Sequence, residues 1–246
     1  MVSTTKISDF LAQKSVSEAS KKAYCYDLEQ FLDLVEGNIN ATSLLYYQEF
    51  LKSLKTSAQK RKHSSVNQFL LYLYDSGAIE RYYRLAKVRE PLPSPKKRQT
   101  LDVSFLERDS DYPTGRLIAS FIALVGLTLK EMANLKYDMI DRDFRVIKVL
   151  RDGQLRILPL PQLILDLLPE GSADTYLFGH GDKPYSRQWF FLQLKTYLAS
   201  VGLKDVTAQV LRQQFIHHQK ALGKDAGEIA KLLGLKSTQT IEKYFN

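Results

Sequence analysis

Apolar residues in the first third of the chain recur at spacings of three and four. In SEASKKAYCYDLEQFLDLVEG, the set Ala23, Tyr24, Leu28, Phe31, Leu32 and Val35 forms one stripe that stops at Gly37, the pattern of an amphipathic helix. SLLYYQEFLKSL and SAQKRKHSSVNQFLLYLYDSG repeat it, the second ending at Gly77. These stripes predict a small helical bundle over residues 1–86. Their aromatic residues read first as core, with a base-stacking platform as the alternative. In LAKVREPLPSPKKRQT, three prolines within five residues precede three basic ones. This predicts an interdomain linker over 87–99, semi-rigid where proline-rich and cationic at its end. Beyond it, TGRLIASFIALVGLTLKEMANLKYDMID is helical on both sides of a break at Gly126. RVIKVLRDGQLRILPLP follows as two strand-like runs about Asp152-Gly153, the strongest hairpin signal in the sequence. SRQWFFLQLKTYLASVG, VLRQQFIHHQKALG and DAGEIAKLLGL read as three further helices, each ending at or near a glycine. The expected fold class is mainly α: an N-terminal helical domain, the linker, and a mostly helical domain over 100–246 with one small β-sheet.

A chain of 246 residues is long enough for two such domains. Its composition, 44% hydrophobic and 25% charged, is that of a globular protein, and no apolar run approaches the roughly 18 residues of a membrane span. MVSTTKISDFLAQK has no apolar stretch behind a basic start, so no secretory leader is expected and the expected location is the cytoplasm. The single cysteine, Cys25, cannot form an internal disulfide, and the four histidines make no ligand pattern with it. No metal or cofactor is implied.

Net charge changes the picture more. A formal +8 suggests a polyanionic partner. Residues 1–99 hold 16 Lys and Arg against 10 Asp and Glu, a net of +6, which leaves 19 against 17, or +2, for the rest. A solvated surface accounts for this as well as nucleic acid does. Within the basic segment, Lys60, Arg61 and Lys62 sit near one predicted helix start, and Lys21 and Lys22 open another. Cations there oppose the helix macrodipole, a placement that phosphate contact would explain; a solvated face is the alternative.

Several chemistries are absent from the sequence: GxGxxG after a strand, GxxxxGK[ST], HExxH and CxxC. His217 and His218 are adjacent, so on a helix they point about 100° apart and make a poor metal-ligand pair; they read as surface or boundary residues. What remains is an ordered set: GLTLKEMANLK, Arg151 at the hairpin turn, Arg212 in VLRQQF, the LLGL turn, and Tyr244 in TQTIEKYFN. Taken alone, Tyr244 reads first as the packing anchor of a closing helix, with a catalytic phenol as the alternative.

This order resembles the tyrosine recombinase family, which includes the phage integrases and the Xer recombinases, with XerD-like proteins nearest in pattern. The resemblance spans nearly the whole chain, since the helical N-terminal segment is similar to that family's core-binding domain. It implies two domains that hold double-stranded DNA between them. It also implies a phenol that attacks a DNA phosphodiester to give a 3′-phosphotyrosyl link, so bond energy is kept without ATP or metal. Negative charge concentrates on the non-bridging oxygens, which calls for guanidinium groups with permanent charge and bidentate donors. A general acid must protonate the leaving 5′-oxygen, and a base must assist a phenol whose unperturbed pKa is about 10.

Carried over residue by residue, Tyr244 matches the nucleophile and Arg212 a clamp arginine. Where GLRxxEL is expected the chain has GLTLKEM, with Thr128 in place of the first arginine and Glu131 kept. Arg151 aligns with the hairpin lysine, the leaving-group acid, although an arginine of pKa above about 12 is a poor proton donor. HxLRH stands as QVLRQ, with Gln209 and Gln213 for the histidines, and the histidine of LGH is Leu235. The catalytic candidates are therefore Tyr244, Arg212 and Arg151. The DNA-binding candidates are Lys21, Lys22, Lys60, Arg61, Lys62, Arg156 and Arg187, with Lys195 beside them. The family usually carries a segment after the tyrosine that packs on a neighbouring subunit; here the sequence ends at Asn246, so that coupling is expected to be missing. The expected function is duplex-DNA binding associated with site-specific recombination or integration, with poor strand cleavage by the chain itself. One alternative is an active recombinase whose missing groups come from replacements or from another recombinase subunit or accessory protein. Another is a protein-interaction module on the same fold.

Overall fold

The computed structural model divides into two compact units, Met1–Lys96 and Lys97–Asn246, and describes residues 2–86, 101–151 and 153–245. The linker expected at 87–99 lies outside the described residues, as does Asp152 of the hairpin turn.

The first unit is four helices: α1 (Thr5–Ala12), α2 (Glu18–Leu34), α3 (Ala41–Lys52) and α4 (Thr56–Asp75). The Ser17 hydroxyl caps α2 by accepting the Ser20 N–H, and Asn40 with Ser43 forms a capping box on α3. The apolar stripes meet around Phe10, Leu28, Phe31, Tyr47, Phe69 and Leu73, all buried. Two charges share that interior. Asp27 is fully buried and Lys62 is 5% exposed. The Lys62 ammonium donates to Asp27 Oδ1 at 2.8 Å and to Gln30 Oε1 at 2.5 Å, while Arg61, half exposed, reaches the same Asp27 oxygen at 3.1 Å. This corrects the reading of Lys62 as a phosphate contact. Position 62 shares a helix face with Val66, Phe69 and Leu73, so α4 points the ammonium inward, where burial demands a counter-charge.

In the second unit a 3₁₀ turn at Ser104–Glu107 leads into α5 (Pro113–Ser120), which continues as a one-turn π segment, Phe121–Val125. Gly126 ends it at φ +77°, and a Cβ there would lie 2.8 Å from Leu233 and Phe215, so glycine is required on both counts. The short helix α6 (Leu129–Ala133) precedes an antiparallel sheet of β1 (Ile140–Asp141), β2 (Val146–Arg151) and β3 (Gln154–Pro159). Arg151 faces Gln154 across the predicted two-residue turn. Helix α7 (Gln162–Leu167) comes next, then a second small hairpin of β4 (Gly179–His180) and β5 (Lys183–Pro184). Strands of two residues show no alternation, which is why periodicity missed this second sheet. The chain closes with α8 (Arg187–Ser200), α9 (Ala208–Ala221), α10 (Ala226–Leu232) and α11 (Gln239–Glu242). Helix α5 is buried from Gly115 to Ser120, with Leu117 and Ile118 in the core beside Phe121, Ile147, Leu158, Phe190 and Tyr197. A smaller cluster of Phe215, Ile229, Leu233 and Ile241 holds the last helices. The architecture is mainly helical with a small antiparallel sheet. Among the described residues no helix is long and apolar enough to cross a membrane.

Because Lys62 is the buried counter-ion of Asp27, Lys62→Ala is expected to destabilise the protein by about 3–5 kcal/mol. Urea unfolding followed by far-UV circular dichroism measures this, and an unchanged midpoint would show that Arg61 alone neutralises Asp27.

Candidate functional site

In the second unit, the segment after Gly126, helix α6, the end of β2 and the starts of α8 and α9 line an open cleft of about 810 Å³. Its polar lining includes Lys130, Arg151, Arg187 and Arg212, with Glu131 as the only acidic residue among the described residues that line it. The cleft is a basic surface around one carboxylate.

Glu131 is 5% exposed and bonded through both oxygens. Its Oε2 accepts the Thr128 backbone N–H and the Thr128 hydroxyl, each at 2.7 Å, and the Thr128 hydroxyl in turn accepts the Glu131 N–H at 3.2 Å. This capping box starts α6. Glu131 Oε1 accepts Nη2 of Arg156, which also donates Nη1 to the Leu232 carbonyl at the end of α10. The Arg156 side chain is only 9% exposed. Burial lowers its pKa from the ordinary guanidinium value, opposed by the Glu131 charge. Its Nε is buried with no hydrogen-bond partner, and Gly234, at φ +62°, lies over it: a Cβ there would fall 2.7 Å from Nε. The assignment of Arg156 to DNA contact is therefore corrected. Strand alternation puts it on the same face of β3 as Leu158, and its charge is matched inside the protein.

Two arginines of the cleft, Arg151 and Arg212, converge. Arg212 donates Nε to the Gly126 carbonyl at 3.0 Å and Nη2 to the Leu233 carbonyl at 3.3 Å. Arg151 donates Nη1 to the same Leu233 oxygen at 3.1 Å and stands 3.8 Å from Glu131. Burial lowers the Arg212 pKa; Glu131 and the Tyr244 phenol oppose that shift, while Arg151 and Arg156 add to it. Tyr244 follows α11, half-buried, against the Phe215–Ile241 cluster. Its ring meets His217 edge-on with centroids 5.4 Å apart, and its carbonyl accepts from Lys220 Nζ at 2.7 Å. Leu235 packs on the same apolar cluster.

The structure thus brings Arg151 and Arg212 together on the Leu233 carbonyl, and Tyr244 packs on the apolar cluster to which Leu233 belongs. Arg187 and Lys195 are exposed on α8. In the first unit, Lys22 and Lys60 are exposed and Lys21 pairs with Glu18 at 3.0 Å. Three members of the site escape sequence reasoning. His217 reads there as a boundary residue, Lys130 carries no motif signal, and the Leu233 carbonyl is a backbone group that no pattern of side chains announces.

Residues 100–246 match the phage integrase family. Over 241 residues the chain is 42% identical to the tyrosine recombinase XerD-like protein of Streptococcus agalactiae serotype III (strain NEM316), covering 97% of this chain and 98% of that protein. The chain belongs to the phage integrase family. Its fold within that family is also that of two solved structures of low identity. One is the Tn1549 transposon integrase in complex with a circular intermediate DNA, at TM-score 0.71 and 16% identity, covering 99% of this chain and 95% of that one. The other is the XerH site-specific recombinase bound to difH substrate, at TM-score 0.69 and 16% identity, covering 99% and 82%.

In this phage integrase family chain, Arg156 is the counter-ion of a buried carboxylate, so Arg156→Leu is expected to lower stability by about 3–5 kcal/mol. Adding Glu131→Gln should recover part of that loss, because the two residues are coupled. The fluorescence of Trp189, the single tryptophan, during urea unfolding reports both variants.

Proposed function

We propose that this chain binds duplex DNA in site-specific recombination and cleaves strands poorly by itself. The observation that carries this reading is the fate of two positions at which the family pattern has polar catalytic groups. The Thr128 hydroxyl is committed to the cap of α6, and Leu235 is packed into the Phe215–Ile241 cluster. Neither has a group to offer a developing negative charge. Loss of one preorganised donor typically costs 10² to 10³ in rate, on the order of 2.7–4 kcal/mol, and Gln209 and Gln213 depart from the pattern as well. Such effects do not simply add within one site, yet together they weigh heavily against cleavage. Binding makes lesser demands. The cations of the cleft remain, and Lys21, Lys22, Lys60 and Arg61 supply phosphate contacts from the first unit. These contacts fix register on a duplex and make affinity salt-dependent without reading sequence. A cytoplasmic location follows from that partner.

One observation favours a second reading, in which Tyr244 is an active nucleophile and another subunit or an accessory protein completes the site. Tyr244 packs on the cluster that contains Leu233, whose carbonyl accepts from both Arg151 and Arg212.

Nicked suicide duplexes with randomised sites separate the two. The expected result is salt-sensitive binding with no denaturant-resistant protein–DNA band; a band that disappears in Tyr244→Phe would establish the second reading. Independently, Lys22→Glu with Lys60→Glu is expected to weaken duplex binding and to reduce the salt slope by about one unit for each phosphate that is no longer neutralised. An unchanged slope would remove these two lysines from the interface.

A further inference from the structure

Lysine and arginine on phosphates hold a duplex without reading it, so base identity has to be read by a side chain that reaches a base edge. We propose that Tyr26 is that side chain in the first unit, packing its ring on the C5-methyl group of a thymine in the major groove. This inference rests on the duplex-binding reading above and names the base chemistry that the first unit selects.

Three features carry it. An isolated exposed ring is ordinary on a protein surface, and what distinguishes Tyr26 is its border. Helix α2 buries Leu28, Phe31 and Leu32 but leaves Tyr26 62% exposed. Tyr74 and Tyr82, also exposed, meet each other, whereas Tyr26 stands among cations from two helices. Lys22 precedes it by one turn on the same face of α2. Arg61 comes from α4: it donates to the Ala23 carbonyl at 3.5 Å and reaches Asp27 at 3.1 Å, so its guanidinium spans the stretch of α2 that carries Tyr26. Glu29, the acidic residue nearest along the helix on that side, accepts the Cys25 thiol. Second, the ring is held from beneath. Lys62 Nζ lies 5.2 Å from its centroid, and that ammonium is itself fixed by Asp27 and Gln30. Lys62 is enclosed and cannot meet a phosphate, but its charge attracts the face of the ring. A ring already held in place loses less freedom on contact with DNA. Third, the ring is apolar and the duplex offers it one apolar partner. Bases in an intact duplex are stacked, so the group within reach is the thymine methyl, displayed in a major groove wide enough to admit an α-helix. The phenol oxygen stays at the wet edge of such a contact.

The experiment uses the full chain and a pool of randomised duplexes, from which the preferred sequence is selected. Each thymine of that sequence is then replaced singly by deoxyuridine, which removes the methyl group and nothing else. At one or two positions the replacement is expected to weaken binding about fourfold, the factor for one buried methyl group. In Tyr26→Ala those replacements should have no effect. Affinity for the selected duplex should fall about tenfold in this variant, while an unrelated duplex, held through its phosphates, should lose less than about twofold. Tyr26→Phe keeps the ring and should keep the deoxyuridine effect. Deoxyuridine penalties that are the same in Tyr26→Ala as in the unaltered chain would overturn the inference. So would a preferred sequence in which no thymine methyl matters, or equal weakening of both duplexes in Tyr26→Ala. The reading beneath fails in a different way. An unaltered chain that binds no duplex removes the DNA-binding reading itself, whereas salt-sensitive duplex binding without a Tyr26-dependent methyl effect removes this inference alone.

Discussion

A carboxylate taken out of water has to be neutralised where it stands, and Glu131 meets that requirement with groups from separate parts of the second unit. Thr128 closes one oxygen from the start of α6, and Arg156 closes the other from β3. Arg156 then ties the same site to the end of α10 through the Leu232 carbonyl. One charge thus joins a helix start, a strand and a helix end. The left-handed Gly234 follows from it, since a side chain there would meet the guanidinium. The next carbonyl, Leu233, is held where Arg151 and Arg212 both reach it. A buried pair of this kind adds little net stability over an apolar substitute, but removing one partner is expensive, so it enforces the arrangement.

The same rule operates in the first unit, with Asp27 and Lys62 in place of Glu131 and Arg156. It changes what the formal charge of +8 means. Two cations that a composition count assigns to the surface are internal counter-ions, while Lys22, Lys60 and Arg187 stay exposed. The cations of a basic chain are interchangeable in a sum and not in a structure. Which of them can meet a phosphate depends on whether the side chain reaches the surface: Arg61 pairs with Asp27 and is still half exposed, whereas Lys62 is enclosed.

Binding and cleaving DNA make different demands on one cleft. Holding a phosphodiester needs fixed positive charge, and Arg151, Arg212 and their neighbours provide it. Cleavage further needs donors that tighten as charge develops and a group that gives up a proton. In this member of the phage integrase family two positions expected to carry such groups serve local structure: Thr128 caps α6, and Leu235 packs, partly buried, on the Phe215–Ile241 cluster. The proposed function, binding duplex DNA with poor cleavage, rests on that difference.

The helices, the hairpin and the family pattern were legible because each rests on local spacing. A stripe with period 3.6 must bury one face, and Asp152-Gly153 between two apolar runs must turn. Even the inward direction of Lys62 was written in its spacing from Val66, Phe69 and Leu73, although its charge argued for the surface. Arg156 likewise shares a strand face with Leu158. Short elements such as β4, β5 and α7 left no periodic trace. What the sequence could not determine was pairing across the chain, because a side chain's partner depends on distance in space and not on spacing along the backbone. Tertiary structure alone decided that Asp27 claims Lys62, that Glu131 claims Arg156, that His217 meets Tyr244, and that two arginines converge on the Leu233 carbonyl. In each buried pair the reason is that a charge or polar group excluded from water must take its partner from whatever the fold brings beside it.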